Sequence, residues 1–348
     1  MREFTGVLTD PVYESKKLSR TDQFFSQFIR DERDLPFVHL SLQLFSTVIP
    51  TGLFLYTSVL SGWTWLALAV ANLLVVAIYF LGPYTLMLHL TCHRRFLKDE
   101  YSYLNPIIPC IIGPFFGQTP YSYFAHHVGM HHPENNLPTD GSSTMHYQRD
   151  EWTHWAHYFG SFLWTGVTSL RAYLTKHNKN TLLRNQAQGE LVSYTVLGAL
   201  SLLHFKATLF VFLLPWFIIR FGMMAGNWAQ HAFIDAASPD NNYRNSITCI
   251  NAYYNRVCFN DGYHIAHHLK PTQHWTEMPA ELLANRAKYV ENDAIIFEEL
   301  DFFIIWFFLM LKRYDWLAHY YVNMGHKYKS DEEVVAMLKS RTARIVPG

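Results

Sequence analysis

Residues 63–93 read WTWLALAVANLLVVAIYFLGPYTLMLHLTCH, an apolar run without a single Asp, Glu, Lys or Arg. As one helix this run would be about 45 Å long, whereas the hydrocarbon core of a bilayer is about 30 Å thick. It therefore predicts a membrane-crossing helix whose end projects beyond the lipid, with a kink at Gly82 and Pro83. The projecting end carries His89 and His93, which are four positions apart and share one helix face.

Three more apolar runs accompany this one, at Phe37–Leu60, Leu191–Leu203 and Thr208–Trp228. Two residues separate the first run from the run at 63–93, and a short turn at 204–206 separates the last two. The runs therefore predict two helical hairpins. Leu191–Leu203 is short for a crossing of about 20 residues, so it must recruit polar flanking residues.

The basic residues predict the orientation of these helices. Of the 28 lysines and arginines, only Lys206 falls in an outer turn and only Arg220 lies within a helix. Because positive residues concentrate on the cytoplasmic side, both termini are expected to face the cytosol. The first 36 residues contain no apolar segment behind a basic start, so no cleavable signal peptide is expected.

The predicted fold class is an all-α integral membrane protein, with four transmembrane helices in two hairpins and a helical cytoplasmic cap that carries the histidines. We expect three parts: residues 1–36 as a cytoplasmic N-terminal segment, residues 37–294 as the membrane and metal domain, and residues 295–348 as an interfacial helix and cytoplasmic tail.

Two other apolar segments do not fit a regular crossing. Pro106–Phe124 contains too many prolines and glycines to propagate a helix, so we interpret it as a re-entrant or interfacial segment. Ile295–Leu311 is interrupted by Glu298, Glu299 and Asp301. For this segment an amphipathic helix lying along the membrane is favoured over a crossing.

Composition excludes several classes of protein. Half of the residues are hydrophobic and 16% are aromatic, which favours a lipid environment, and the formal net charge of zero argues against nucleic-acid binding. The four cysteines form no CxxC pair, so neither a disulfide framework nor a thiolate zinc site is predicted. The 19 histidines are unusual because they are clustered.

Three histidine clusters point to one large metal site. The first is the HxxxH pair already described, the second has HxxxHH spacing and the third has HxxHH spacing, and their candidate ligands are His89, His93, His127, His131, His132, His264, His267 and His268. Asn227 and His231 form a further pair, four positions apart, at the end of the last predicted span. So many ligands exceed the needs of one ion, so a dinuclear centre is predicted, and imidazole-rich ligation suits iron that handles dioxygen.

These motifs, in this order and spacing from about residue 37 to residue 268, resemble those of the membrane fatty acid desaturase superfamily. The resemblance implies that nine histidines, with Asn227 acting through a water, bind two irons. The HxxxH spacing of His89 and His93 departs from the HxxxxH of animal acyl-CoA desaturases and is closer to bacterial and algal forms, so the acyl carrier stays open. No HPGG motif occurs, so electrons are expected from a separate donor such as ferredoxin or cytochrome b5.

The chemistry follows from the substrate that the resemblance implies. An unactivated methylene C–H bond offers no acidic proton and no carbonyl, so its cleavage needs a metal and dioxygen. Desaturation of a fatty acyl chain is the favoured outcome. The same metal ligands also serve hydroxylation, or oxidative decarboxylation of a free fatty acid to a terminal alkene. A non-enzymatic membrane metal carrier is a third reading, although it would place ionisable residues near the midplane of the membrane.

Several other residues have more than one interpretation. His126 could replace His127 as a ligand, although the spacing favours His127. Arg220, inside a predicted span, could meet a substrate carboxylate or headgroup or could simply extend toward the membrane surface. Three acidic residues close to the clusters could orient ligating imidazoles, namely Glu134, Asp140 and Asp261. His154 and His157 form a further HxxH, and their aromatic surroundings favour a role as an interfacial anchor. His274 and Trp275 could line the approach to the metals or have a packing role.

Overall fold

The computed structural model describes residues 1–345 and is mostly helical. It divides into two compact units. Unit 1 contains Met1–Tyr13, Met130–Tyr173 and the chain from Gly222 onward, and unit 2 contains Glu14–Gly129 and Leu174–Phe221. Both units are therefore assembled from segments that are distant in sequence.

The α-helices follow one another along the chain, numbered here from α1 to α18. They are α1 Arg20–Ser26, α2 Leu35–Ser46, α3 Val48–Phe54, α4 Gly62–Leu74, α5 Leu81–His93, α6 Ser122–His126, α7 His132–Glu134, α8 Trp152–Lys176, α9 Asn180–Thr208, α10 Leu214–Gln230, α11 Asn242–Asn245, α12 Tyr253–Val257, α13 His264–Leu269, α14 Met278–Ala284, α15 Arg286–Glu291, α16 Phe302–Met310, α17 Tyr314–Tyr320 and α18 Asp331–Arg341.

Tighter and wider helical turns connect these helices. The 3₁₀ turns are Glu32–Asp34, Asp99–Leu104, Gly113–Phe116 and Trp275–Glu277. The π-helical turns are Val75–Phe80, Ile107–Ile112, His127–His131 and Leu209–Leu213. Such π turns are rare in proteins and often occur at functional sites.

Within residues 1–345, three helical stretches are long and apolar enough to cross a membrane: Glu32–Phe54, Gly62–His93 and Asn180–Gln230. The first two correspond to the first predicted hairpin. In the second stretch the π turn Val75–Phe80 comes just before Gly82 and Pro83, where the sequence predicts a kink. A wider turn at this point accommodates a proline that cannot donate a backbone hydrogen bond.

The third stretch is 51 residues long, although its backbone is not continuously helical. His204 has φ −155° and ψ 81°, which are not helical values. The break falls within the turn predicted at residues 204–206. Near it, the Tyr56 hydroxyl lies 2.8 Å from the Thr208 hydroxyl within unit 2.

The segment predicted to break helix propagation, Pro106–Phe124, contains no regular span. It forms the π turn Ile107–Ile112, the 3₁₀ turn Gly113–Phe116 and then the start of α6. Gly117 ends this irregular part with a φ of +63°, and a Cβ there would lie 2.2 Å from the Trp216 Cα. Only glycine fits so close an approach of two backbones.

Unit 1 corrects the all-α prediction, because it contains a small parallel sheet. Strand β1, Ile247–Ile250, pairs with strand β2, Ile295–Glu298, and Ile247 lies opposite Ile295. The side chains of Ile295, Ile296 and Phe297 are buried. A short apolar run with β-branched residues can form either a buried strand or a helix, so periodicity alone does not separate the two.

The prediction of an amphipathic helix over Ile295–Leu311 is therefore wrong for its first residues. The helix in this region is α16, Phe302–Met310, and Asp301 caps it by accepting a hydrogen bond from the Ile304 amide at 2.9 Å. The three acidic residues that suggested a polar face all precede the helix. The helix itself is apolar on every side: it buries Ile305 and Leu309 and leaves Phe303 and Phe307 about half exposed.

The first residues of the N-terminal segment, Met1–Tyr13, belong to unit 1. The Arg2 amide donates to the Tyr321 carbonyl at 2.7 Å. The buried Asp10 carboxylate accepts hydrogen bonds from the Asn251 amide, the Asn255 side chain and the Tyr263 hydroxyl at 2.7, 3.0 and 2.6 Å. These contacts attach the first residues of the chain to the segment that leads into α13.

Candidate metal centre

Helix α13 carries the third histidine cluster in a fully buried position. Before it, Gly262 approaches its neighbours so closely that a Cβ would lie 2.4 Å from the Asn255 Oδ1 and 2.5 Å from the Cys249 carbonyl oxygen. The Tyr263 hydroxyl is held by Asp10, and His264 begins the helix. The helical spacing then brings His264 Nε2 and His268 Nε2 to 3.0 Å.

Four buried histidines of unit 1 converge around one point: His131, His231, His264 and His268. One ring nitrogen of each lies within 4.8 Å of the others. His264 Nε2 also lies 3.2 Å from His231 Nε2. The four histidines come from the second cluster, the residue that follows α10 and the third cluster.

Two of these rings, His131 and His231, have a hydrogen-bond acceptor next to Nδ1. His131 Nδ1 lies 2.7 Å from Asp140 Oδ2, and His231 Nδ1 lies 2.9 Å from the Asn245 carbonyl oxygen. Because a carbonyl oxygen only accepts, His231 carries its proton on Nδ1, and the Nε2 lone pair faces the other histidines. The Asp140 carboxylate has the same effect on His131, which is the arrangement that orients metal-bound imidazoles.

The surroundings favour the neutral form of two of these rings, His231 and His268. Burial, together with the nearby His131, lowers the pKa of His231 to about 3. Burial also lowers the pKa of His268 well below its usual 6.5, and the neighbouring histidines His264 and His231 add to this effect. A neutral imidazole is the form that binds a metal ion.

The four-histidine group fits a bound cation. Imidazole nitrogens about 3 Å apart repel each other where their lone pairs face one another. Two ligand nitrogens at about 2.1 Å from one ion stand about 3.0–3.4 Å apart for octahedral or tetrahedral angles, so the separations of 3.0 and 3.2 Å match those of ligands on one transition-metal ion. An all-imidazole donor set suits zinc, copper, iron or nickel.

The other predicted histidines also form close contacts, each described within its own unit. In unit 1, His132 Nε2 and His267 Nε2 are 3.0 Å apart. In unit 2, His93 Nε2 and His127 Nε2 are 2.9 Å apart, and the ring centroids of His89 and His127 are 4.4 Å apart. The contact with His93 is made by His127, the histidine that the spacing favours over His126.

Asn227 lies one helical turn before His231, and the His231 amide donates to its carbonyl at 3.2 Å. Its side-chain amide donates to the Ser142 carbonyl at 3.1 Å and to the Tyr158 hydroxyl at 2.7 Å. The structure therefore gives this predicted ligand two hydrogen-bond acceptors within unit 1.

Arg220 belongs to unit 2, where its guanidinium contacts the irregular segment. Its Nη1 donates to the Gly117 carbonyl, and its guanidinium carbon lies 4.3 Å from the centre of the Trp216 ring. A carbonyl that follows an irregular segment has no helical partner, so Arg220 satisfies it.

Of the three acidic candidates, Asp140 hydrogen-bonds to a predicted ligand, His131. Glu134 accepts from the Tyr173 hydroxyl at 2.6 Å. Asp261 accepts from the Tyr254 hydroxyl at 2.7 Å.

The remaining aromatic candidates hold local structure. His154 Nδ1 accepts from the Gln148 amide at 2.7 Å, and His157 Nδ1 lies 3.3 Å from the Tyr147 hydroxyl. His274 caps the 3₁₀ turn that follows it by accepting from the Thr276 amide at 3.2 Å. The Trp275 ring packs against the Phe259 ring with centroids 5.6 Å apart.

Sequence reasoning missed the polar residues that support this group. Four buried residues hydrogen-bond to His131, to His231 or to one another, namely Asn136, Ser142, Thr144 and Asn245. Asparagine, serine and threonine are common in loops, and no spacing rule separates these four from the others in the chain.

Together, the apolar helical stretches and the buried imidazole group indicate a mostly helical membrane protein with a histidine cluster that could bind a metal ion. Residues 63–299, more than half of the chain, match the family described as fatty acid desaturase. The chain belongs to this family. A comparison with curated proteins found no match.

Proposed function

We propose that this protein is a fatty acyl desaturase that uses two iron ions and dioxygen to introduce a double bond. The observation that carries the proposal is the buried four-histidine group of unit 1, found in a chain of the fatty acid desaturase family. Family membership supports a fatty acyl substrate and a membrane setting. The close spacing of the ring nitrogens supports a bound transition metal.

The proposal assigns the ligands as follows. One iron is held by His131, His231, His264 and His268, whose geometry supports such an ion. The second iron falls to the other histidines of the predicted set, namely His89, His93, His127, His132 and His267. Asn227 completes the set directly or through a water.

Bound iron supplies the dioxygen chemistry that an unactivated methylene requires. The overall reaction removes one hydrogen from each of two adjacent carbons, while dioxygen takes up these two hydrogens, two outside electrons and two protons to form two waters. The protein side chains hold the metals and position the acyl chain. Asp140 and the Asn245 carbonyl keep the lone pairs of His131 and His231 directed at the metal.

The proposed topology has four crossings in two hairpins, with both termini and the metal site in the cytosol. The 51-residue stretch Asn180–Gln230 supports this count, because a straight helix of that length would be about 76 Å long and a bilayer core is about 30 Å thick. The non-helical backbone at His204 gives the chain a point to reverse direction. The half-exposed Phe303 and Phe307 of α16 support a helix lying against the membrane.

A separate electron donor, such as ferredoxin or cytochrome b5, would deliver the two electrons.

Arg220 would contact the carboxylate or headgroup of the substrate. Its guanidinium has five N–H donors, and its hydrogen bonds to the Gly117 and Trp216 carbonyls both use Nη1.

Product analysis tests the reaction. The protein is expressed in a host with a compatible electron donor, and its acyl lipids and headspace gases are analysed by mass spectrometry. We expect new unsaturated acyl chains of unchanged length. Hydroxy acids would instead indicate a hydroxylase, and terminal alkenes one carbon shorter would indicate a decarboxylase. Zinc-only protein that consumes no dioxygen would support the metal carrier and contradict the proposal.

The matched variants are His264→Ala and His319→Ala. His264 belongs to the four-histidine group, whereas His319 is exposed on α17. We expect His264→Ala to lose activity and bound iron, while His319→Ala retains both. Full activity of His264→Ala would remove the assigned site.

A further inference from the structure

Asn136 lies between the two groups that orient His131 and His231, and it belongs to unit 1 together with all of them. Its side chain is completely buried. Its backbone has a φ of +60°, in the left-handed region that asparagine tolerates better than most residues. A buried asparagine in this conformation has little freedom, so its hydrogen bonds are defined.

The orientation of the Asn136 amide follows from its partners. Its Oδ1 accepts from the Thr144 backbone amide at 2.7 Å, and a backbone N–H can only donate. Its Nδ2 therefore faces Asn245 Oδ1, at 2.9 Å. Asn245 Nδ2 donates in turn to the Asn135 carbonyl at 2.6 Å, which leaves its Oδ1 for Asn136.

The side chain of Asn136 acts on His231 through two residues. The Asn245 carbonyl accepts from the His231 ring at 2.9 Å, and the Thr144 hydroxyl donates to the His231 backbone carbonyl at 2.6 Å. Asn136 binds both of these neighbours, so it fixes the groups that hold the ring and the backbone of His231.

The backbone of Asn136 acts on His131. Its amide donates to Asp140 Oδ2 at 3.1 Å, and the same oxygen lies 2.7 Å from His131 Nδ1. One residue is thus one contact away from the orienting acceptor of each imidazole. His131 and His231 are 100 positions apart in the sequence, and Asn136 connects their supports.

We propose that Asn136 is a positioning residue that aligns His131 and His231 jointly for one metal ion. The inference rests on the proposed function, because a metal at the four-histidine group is part of that proposal. Asparagine meets the requirement because its amide offers both a donor and an acceptor in a left-handed backbone. Aspartate lacks the donor, and glycine lacks both.

Two adjacent glycine substitutions test this role. Asn136→Gly keeps the left-handed backbone and the hydrogen bond from the backbone amide of residue 136 to Asp140 Oδ2. It removes only the side-chain amide. Asn135→Gly is the matched control, because Asn135 also has a positive φ of 50°. Its side-chain Nδ2 donates one long hydrogen bond, of 3.4 Å, to the Asp240 carbonyl. Neither substitution strains the backbone.

The measurement is metal binding rather than turnover. The full-length proteins are purified in detergent, stripped of metal and titrated with Co²⁺ against a competing chelator, and the visible absorption of bound Co²⁺ is recorded. We expect wild type and Asn135→Gly to bind two ions alike. Asn136→Gly should bind one of the two ions about 10–100-fold more weakly and with a changed Co²⁺ spectrum, as for other losses of support behind metal ligands.

Equal Co²⁺ affinities and spectra for wild type and folded Asn136→Gly would overturn the inference. If Asn136→Gly does not fold, Thr144→Val replaces it. This variant keeps the hydrogen bond from the Thr144 backbone amide to Asn136 Oδ1, and it removes the hydrogen bond from the Thr144 hydroxyl to the His231 backbone carbonyl. Unchanged Co²⁺ affinity in Thr144→Val would then overturn the inference. A wild-type protein that binds one ion contradicts the proposed function alone, and one that binds none contradicts both.

Discussion

Asp140 contacts His131 through the ring nitrogen that points away from the other histidines of the group. Its two oxygens have different partners: Oδ2 lies 2.7 Å from His131 Nδ1, and Oδ1 accepts from the Ser142 amide and hydroxyl at 2.8 and 2.7 Å. These hydrogen bonds fix the orientation of the carboxylate, which in turn fixes the orientation of the His131 ring.

Asp140→Asn should weaken metal binding. The amide can offer an NH₂ where the carboxylate offers an acceptor, so the hydrogen on His131 Nδ1 loses its partner or the ring turns. We expect the affinity for one of the two ions to fall about 10–100-fold in a chelator competition. Glu134→Gln is the control, since Glu134 accepts from the Tyr173 hydroxyl, and it should bind both ions like wild type. Equal affinities for the two variants would contradict the role of Asp140.

At the residue scale, the sequence indicates the clustered histidines but not the polar residues that hydrogen-bond to them. His264 and His268 are four positions apart, and the helix periodicity alone places them on one face. Asn136 and Asn245 are 109 positions apart, and each is one of many asparagines in loops. Their partnership depends on how distant segments fold together, which no local pattern records.

At the scale of elements, Gly117 connects the irregular segment to α10 within unit 2. Its φ is +63°, and a Cβ would lie 2.2 Å from the Trp216 Cα and 2.8 Å from the Trp216 nitrogen. These are backbone atoms, so they cannot move aside as a flexible side chain could. Arg220 donates to the carbonyl of the same glycine.

Gly117→Ala should therefore destabilise the protein by about 1–3 kcal/mol, because it adds backbone strain and a clash. Thermal unfolding of the purified protein in detergent measures the loss. Gly198→Ala, within α9, is the matched control, since a Cβ there meets nothing within 4 Å. It should unfold at or above the wild-type temperature, because alanine favours a helix. Equal unfolding temperatures for the two variants would refute the close approach.

The sequence predicts long, uncharged apolar helices, but it does not decide the conformation of short apolar runs. The apolar run at 63–93 is long and uncharged, so its helical nature follows from composition, and the structure has a helical stretch from Gly62 to His93. Ile295–Glu298 is only four residues long, and its strand conformation depends on pairing with Ile247–Ile250, 48 positions earlier. A partner strand outside the sequence window decides such a case.

At the scale of the whole molecule, Met1–Tyr13 belongs to unit 1, which also contains the four-histidine group. Asp10→Ala would leave the Tyr263 hydroxyl without its acceptor and remove one from the Asn255 amide. We expect a loss of about 1–3 kcal/mol in the free energy of unfolding. Glu3→Ala is the control: Glu3 pairs with His326 at an exposed position, so the change should be below about 1 kcal/mol. Similar losses in the two variants would show that Asp10 has no special role.

The proposed four crossings can be checked by cysteine labelling. In a background without the native cysteines, Lys206→Cys should react with a membrane-impermeant maleimide added to intact cells. Ser340→Cys, in the exposed part of α18, should react only after the cells are opened. Labelling of both positions in intact cells would contradict the proposed placement of the turn and the C-terminal region on opposite sides.

The discontinuity of unit 1 constrains when the site can form during synthesis. Asp10 leaves the ribosome early, yet its partner Tyr263 is 253 positions further along the chain. The nascent chain must therefore hold its first residues without their native partners until the last histidine cluster has been translated. A ribosome stalled before residue 264 would therefore carry a chain that lacks three of the predicted metal ligands, His264, His267 and His268.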